Sequence, residues 1–433
     1  MRLARDHRYS LLVLLGVGLQ FINAILNLNV FGVSALADVL FISNMIVAAL
    51  ALVSQFFLEQ FWVFYAEIKQ SGRDAALEFY GAALSVAMIL QIVFVAVLQA
   101  GMPIVVGLFA RNLDATRLSL IMPVMRLQAI GFLLYPLITI NATVINAEDR
   151  IGVGYILQLL PLVVTTGAFG FFFAFHISSV LLLVGITVAG NVALAAIQAV
   201  IVGRIGVRFR PRLRNPHLGG YLKHSFTLRL GQNVNNVLQQ PIITNSLSSF
   251  AAGFASAYTY ARRFADIIYS VVVGPSFTLL RMNINDNYPL KKVSLIMQGF
   301  GRFYRNAVVV IPLIVATYFL LRPFLSIAGM GKIDLGMIGT IRQVFLLASI
   351  WLVLLIIEQP FYLLIISAKK SLFFLIENCI YICILFLSVH FLQPRIGIAC
   401  IPVAMAIAQA GNNVMNISMG LATMRNLGTV DRK

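Results

Sequence analysis

Arg262, Arg263 and Asp266 lie inside SSFAAGFASAYTYARRFADIIYSVVVGPSFTLLRMNI, residues 248–284, which is otherwise long and apolar enough to cross a bilayer. A charge near the middle of a membrane costs roughly 2.5–3.5 kcal/mol on insertion scales, so such groups face a bundle interior or an aqueous cavity. Asp266 follows Arg262 by one helical turn and Arg263 by slightly less, which allows an intrahelical ion pair with a packing role only. One carboxylate cannot neutralise both guanidinium groups. The remaining positive charge suits an anion, and a planar guanidinium grips two phosphate oxygens at once.

Other intramembrane groups extend this set. Arg126 and Arg229 fall within apolar runs, closer to the membrane surfaces. Snorkelling accounts for both, but with the central pair they could form a basic ladder for a phosphate-bearing headgroup. Amides cluster at the start of each half, with Gln20, Asn23, Asn27 and Asn29 in one run and Gln232, Asn233, Asn235, Asn236, Gln239 and Gln240 in the other. Asn23 and Gln239 are taken as candidates for contacts with sugar hydroxyls, the alternative being hydrogen bonds between helices.

Among the acids, Asp38 at a helix start reads as a cap, and Glu59 as a solvated residue near an interface. Glu358 precedes Gln359 and Pro360, where a helix kinks, and Glu377 precedes Asn378 early in the next run. With Asp266, these two are the candidates for a protonatable coupling site. Polar glue between helices is the competing assignment for them.

The elements that must position these groups are membrane spans. The chain has 433 residues, of which 60% are hydrophobic and 11% charged, and its mean hydropathy is +0.92. Apolar runs at about 10–31, 37–66, 78–100, 119–143, 152–174, 178–203, 222–246, 252–281, 298–321, 340–366, 372–392 and 396–422 predict an all-α polytopic membrane protein of about 12 helices. The first run continues past Phe21 and Ile25 without a small-residue cleavage site, which fits an uncleaved span better than a signal peptide.

Most basic residues fall in the breaks after even-numbered spans and at the two ends. The opposite breaks hold only Arg111, Arg117, Arg322, Lys332, Arg342 and Arg395. That asymmetry predicts cytoplasmic termini. It also accounts for the net charge of +17 without invoking nucleic acid. The longest basic break, RIGVRFRPRLRNPHLGGYLKH from Arg204, lies midway and predicts an N-terminal lobe over 1–205, a basic cytoplasmic linker over 206–221 and a C-terminal lobe over 222–433. Its arginines could also rest against anionic headgroups.

Local similarity between FGVSALADVLFIS from Phe31 and FAAGFASAYTYAR from Phe250, and between INAEDRIGVGYILQ from Ile145 and ISAKKSLFFLIEN from Ile366, points to internal duplication. Six spans per half make the repeats parallel, related by a pseudo-two-fold along the membrane normal.

The sequence offers no catalytic constellation, so no enzyme activity and no cofactor are expected. His7, His176, His217, His224 and His390 are scattered, and Cys379, Cys383 and Cys400 sit in apolar segments without metal-ligand spacing. No Gly-Lys-Ser/Thr phosphate loop is present.

Ordered along the chain, VFGVSALADVLFISNMI from Val30, FWVFYAEIK from Phe61, INAEDRIGV from Ile145 and SAYTYARRF from Ser256 resemble the multidrug/oligosaccharidyl-lipid/polysaccharide exporter superfamily. Within it, the chain is most similar to the lipid II flippase and O-antigen flippase branches. The resemblance places Arg263 on a cavity arginine of that family. It departs from lipid II flippases at Val17 and Asn23, where they carry further arginines, and near Ile243 to Asn245, where a sodium-binding acid has no counterpart.

The implied function is transfer of a polyprenyl-(di)phosphate-linked glycan from the cytoplasmic to the outer leaflet of a bacterial inner membrane by alternating access. Membrane lipids, and glycosyltransferases or a polymerase of the same pathway, are the implied partners. A drug or cation antiporter of the same superfamily would want acids where this chain is basic. A non-transporting scaffold for polysaccharide synthesis would not need Arg262 and Arg263 in mid-membrane.

Overall fold

The structure is a computed structural model describing residues 2–55, 61–148, 151–288, 290–328, 333–368 and 370–430. The chain forms α1 (Arg2–Phe31), α2 (Ala35–Gln55), α3 (Phe61–Ser71), α4 (Arg73–Ala100), α5 (Met102–Phe109), α6 (Ala115–Gly131), α7 (Tyr135–Ala147), α8 (Ile151–Ala174) and α9 (Val180–Arg204). There follow α10 (Leu218–Ser248), α11 (Phe254–Ile268), α12 (Gly274–Asn287), α13 (Val293–Ala307), α14 (Val310–Ala328), α15 (Leu335–Ser367), α16 (Ser371–Ile396) and α17 (Cys400–Val430). The protein is polytopic and helical. Among the described residues seven helical stretches are long and apolar enough to cross a membrane, and Gly18–Phe31, Ala35–Ala51 and Leu159–Ala174 are shorter apolar helices.

Where an expected span is broken, local chemistry explains the break. The run 119–143 divides at a 3-10 turn, Phe132–Leu134, just before Pro136, because proline lacks the N–H that would continue the ladder. The run 252–281 passes through a π turn, Tyr269–Val273, in which the Gly274 N–H reaches back to the Tyr269 carbonyl. Pro275 follows at the start of α12, again unable to donate.

The chain divides into two compact units, Met1–Asn245 and Ser246–Lys433, so the basic segment after α9 and nearly all of α10 are grouped with the first. In that unit α8 packs on α1 and α9, and α6 packs on α2 and α9. One end is held by aromatic packing. Phe61 stacks on Tyr65 and Phe79 at centroid distances of 5.5 and 5.6 Å, and the edge of Tyr221 meets Phe79 at 5.5 Å. Lys69 and Glu148 form a 2.8 Å ion pair beside this cluster.

At the start of α2 the expected cap is reassigned. Ser34 accepts the Ala37 N–H at 3.3 Å, whereas Asp38 lies one turn further in, fully buried, 3.4 Å from the Arg117 guanidinium. The serine precedes the helix and reaches its free N–H groups, and the aspartate inside the first turn reaches across to α6 instead. Arg117 is itself buried and forms a second ion pair, 2.7 Å long, with Asp114, the N-cap of α6. The backbone hydrogen bond from Arg117 holds the Asp114 carboxyl below the usual carboxylate range. Glu59 lies outside the described residues.

Arg117→Ala leaves Asp38 buried without its cation and is expected to destabilise the folded protein by about 3 kcal/mol. The double variant Asp38→Asn with Arg117→Gln should recover most of that loss. Thermal unfolding of the purified proteins in detergent checks both, and an unperturbed Arg117→Ala midpoint would contradict the assignment.

Candidate functional site

The second unit gathers its polar groups onto four helices. On α11 the small and aromatic residues Ala255, Ser256, Ala257, Tyr258, Tyr260, Ala261, Ala265 and Ile268 are buried, packing the helix against α15. Residues three and four apart share a helix face, so Tyr258, Arg262 and Asp266 form one line. Arg262 donates to the Tyr258 hydroxyl at 3.3 Å, lies 3.8 Å from Asp266, and stands 5.2 Å from the Trp351 ring centre on α15. Tyr258 in turn donates to the Met405 sulfur on α17 at 3.4 Å.

Side-chain exposure is 26% at Arg262 and 54% at Asp266, so the line runs outward from the packed interior. Cation–π contact and ion pairing therefore hold Arg262. Arg263 projects about 100° further round the helix and is half-buried.

A second polar group lies deeper in the same unit. Trp351 and Glu358 are two turns apart on α15 and share a face. Glu358 accepts a hydrogen bond from Gln409 of α17. Gln409 also donates to Asn413 at 3.1 Å, and Asn413 donates to the Leu354 carbonyl at 2.9 Å. From α16, Glu377 accepts from Asn416 at 2.6 Å. Glu358, Glu377, Gln409, Asn412, Asn413 and Asn416 are all buried.

Among the described residues neither Glu358 nor Glu377 belongs to an ion pair. Four buried oxygens nearby along these helices, on Gln359, Glu377, Asn412 and Asn416, accept no hydrogen bond from the described residues. Unpartnered buried oxygens of this kind suit a proton or a small hard cation. Tyr304 on α13 also donates to the Ile357 carbonyl of α15 at 2.8 Å, joining the two helices.

The remaining candidates have other surroundings. Asn23 is buried and donates to Thr166 at 3.4 Å, joining α1 to α8. Arg126 is exposed on α6, and its carbonyl accepts from Gln99 at 2.8 Å. Gln239 is buried on α10, while the side chain of Arg229 lies outside the described ones. The four residues spaced as Gln409, Asn412, Asn413 and Asn416 follow the i, i+3, i+4, i+7 pattern of one helix face. They were legible in the sequence by that spacing, although the acids alone draw attention first.

Asn416→Leu, which removes the only described donor to Glu377, should cost about 1–3 kcal/mol of stability. Asn412→Leu should cost less, because its oxygen has no partner to lose. Equal losses in thermal unfolding would show that the Asn412 oxygen is engaged.

The profile of the family described as lipid II flippase MurJ matches residues 28–280, more than half of the chain. No curated protein matches. Among solved structures, an inward-facing multidrug resistance MATE transporter of the MOP superfamily is similar at a TM-score of 0.75 and 12% identity, covering 95% of this chain and 96% of its own. The lipid II flippase MurJ in an inward closed conformation aligns at 0.75 and 13%, covering 97% and 89%. A MOP superfamily transporter from Pyrococcus furiosus, described for the reversed polarity of its binding pocket, aligns at 0.65 and 13%, covering 98% and 96%. At these identities the structural likeness establishes the fold, and the family match over residues 28–280 goes further: the chain belongs to the lipid II flippase MurJ family.

Proposed function

We propose that this protein is a flippase of the bacterial inner membrane that transfers a polyprenyl-diphosphate-linked cell-envelope glycan precursor from the cytoplasmic to the outer leaflet. The observation that carries the proposal is a pair of arginines in the middle of an apolar span, neither of them exposed. Family membership sets the substrate class. Arg262 is held by Tyr258, Asp266 and Trp351, which supports a positioning role for it, and the resemblance of SAYTYARRF to the family's segment supports assigning the diphosphate to Arg263. Arg126, Arg229, Asn23 and Gln239 are secondary candidates for headgroup contacts, Asn23 the weakest because its amide already bonds Thr166.

In this proposal the hydrocarbon tail stays in the bilayer while the headgroup crosses by alternating access, and the chain comprises an N-terminal lobe, 1–205, and a C-terminal lobe, 222–433. Glu358 and Glu377 couple transport to uptake and release of a proton, and Asp266 modulates the charge beside the arginines. Both termini face the cytoplasm, so a reporter fused near Arg210 should read cytoplasmic and one near Lys332 external. Enzymes that build or polymerise the glycan are the expected partners.

Transport per folded molecule, measured in liposomes with a polyprenyl-diphosphate oligosaccharide, tests the arginine assignment. Arg263→Ala should abolish flipping and Arg263→Lys should restore part of it, because lysine supplies charge without the two-pronged geometry. The double variant Glu358→Gln with Glu377→Gln should fold and lose the pH dependence of transport. A fully active, well-folded Arg263→Ala protein would refute the phosphate role.

A further inference from the structure

Residues 205–217 between α9 and α10 form no helix, yet they are fastened to α4. The Arg73 side chain donates to the Ile205 carbonyl at 2.8 Å, and the Arg212 backbone N–H meets the Ser85 hydroxyl at 3.3 Å. Arg212 forms a 2.8 Å ion pair with Glu78, and Phe209 sets its ring edge-on to Tyr80 at 6.3 Å. Gly81 permits the approach, because a Cβ there would collide with the Arg210 carbonyl.

Gly81 and Ser85 lie roughly 12 and 18 Å along α4 from Arg73 at 1.5 Å per residue. The segment is therefore a strap laid along the polar first turn of α4 and the start of its apolar run.

The outward composition of the strap suits a membrane interface. Arg208, Arg210, Arg212 and Arg214 are exposed, and Phe209 and Leu213 between them are 48% and 61% exposed. Alternating arginine and large apolar residues is the composition of a segment lying in the interface, rings and chains toward the acyl region and guanidinium groups among phosphates. A cleft of about 380 Å³ opens under the strap, lined by Asp74, Leu77, Glu78, Gly206, Arg208, Arg210 and Arg212. With Glu78 matched by Arg212, the cleft keeps two arginines against Asp74. Arg208, Arg210 and Arg214 enter no ion pair among the described residues.

We infer that this strap is a binding surface for anionic phospholipid headgroups, with Arg208, Arg210 and Arg214 taking the phosphodiester and Phe209 and Leu213 entering the interface. A bilayer necessarily adjoins the ends of α4 and α9. The basic asymmetry of the sequence assigns this end to the cytoplasm, where the leaflet is negative. The inference does not depend on what the protein transports.

The test uses the full-length protein in vesicles of phosphatidylcholine with or without phosphatidylglycerol, measuring the thermal midpoint and the phospholipid retained on extraction. The native chain should be stabilised by phosphatidylglycerol and retain it preferentially. The triple variant Arg208→Gln, Arg210→Gln, Arg214→Gln spares the Arg212–Glu78 pair, so its midpoint in pure phosphatidylcholine should equal that of the native chain. Its preference for the anionic lipid should fall by about fivefold for each arginine removed.

The corresponding triple lysine variant should keep most of the preference, which separates charge from packing if the glutamine variant folds poorly. Undiminished phosphatidylglycerol preference in the glutamine variant, or its loss in a folded lysine variant, would overturn the inference. Stabilisation of the native chain in phosphatidylcholine by inorganic pyrophosphate alone, to the same extent, would also overturn it, by making the strap a site for a free anion.

Discussion

A guanidinium in the middle of an apolar span must be given partners, and Arg262 organises the second unit by that requirement. Its tyrosine partner lies one turn before it, its carboxylate one turn after, and its aromatic partner on the neighbouring α15. Each contact restricts the packing of α11, whose buried face of alanines, serine and tyrosines lets α15 approach closely. Tyr258 extends the same set to α17 through Met405. One fixed positive charge thus aligns three helices, and the adjoining Arg263 is presented by a helix that cannot easily rotate.

The carboxylates follow from the same constraint with the sign reversed. Glu358 and Glu377 receive amide donors from α17 instead of a cation, which satisfies part of their hydrogen-bonding capacity and leaves the charge itself unbalanced. The unit keeps Arg262 and Asp266 partly exposed and Glu358 and Glu377 buried among amides.

Much of this was legible before any coordinates. Spanning length located the helices, and proline positions explain where Phe132–Leu134 and Tyr269–Val273 interrupt them. The rarity of intramembrane charge marked Arg262, Arg263, Glu358 and Glu377. The partners were harder to see. A tyrosine or tryptophan in an apolar span resembles ordinary core, so Tyr258 and Trp351 became visible only through the distances to Arg262. Asp38 shows the opposite limit, since a helix-start acid reads as a cap, and its true partner, Arg117, comes from a distant part of the chain and looked like a loop residue. Asn23 donates to Thr166, the bond between helices that the amide-rich sequence offered beside a contact with sugar hydroxyls.

The central claim is that this family member moves a lipid-linked glycan precursor out of the cytoplasmic leaflet. Its most direct test is to deplete the protein in its own cells and measure, by mass spectrometry with leaflet-selective cleavage, the amount and sidedness of polyprenyl-diphosphate-linked glycans. The account predicts that one such species accumulates on the cytoplasmic side as the protein disappears and returns to normal on re-expression. Unchanged amounts and sidedness of every polyprenyl-linked glycan in depleted cells would contradict it.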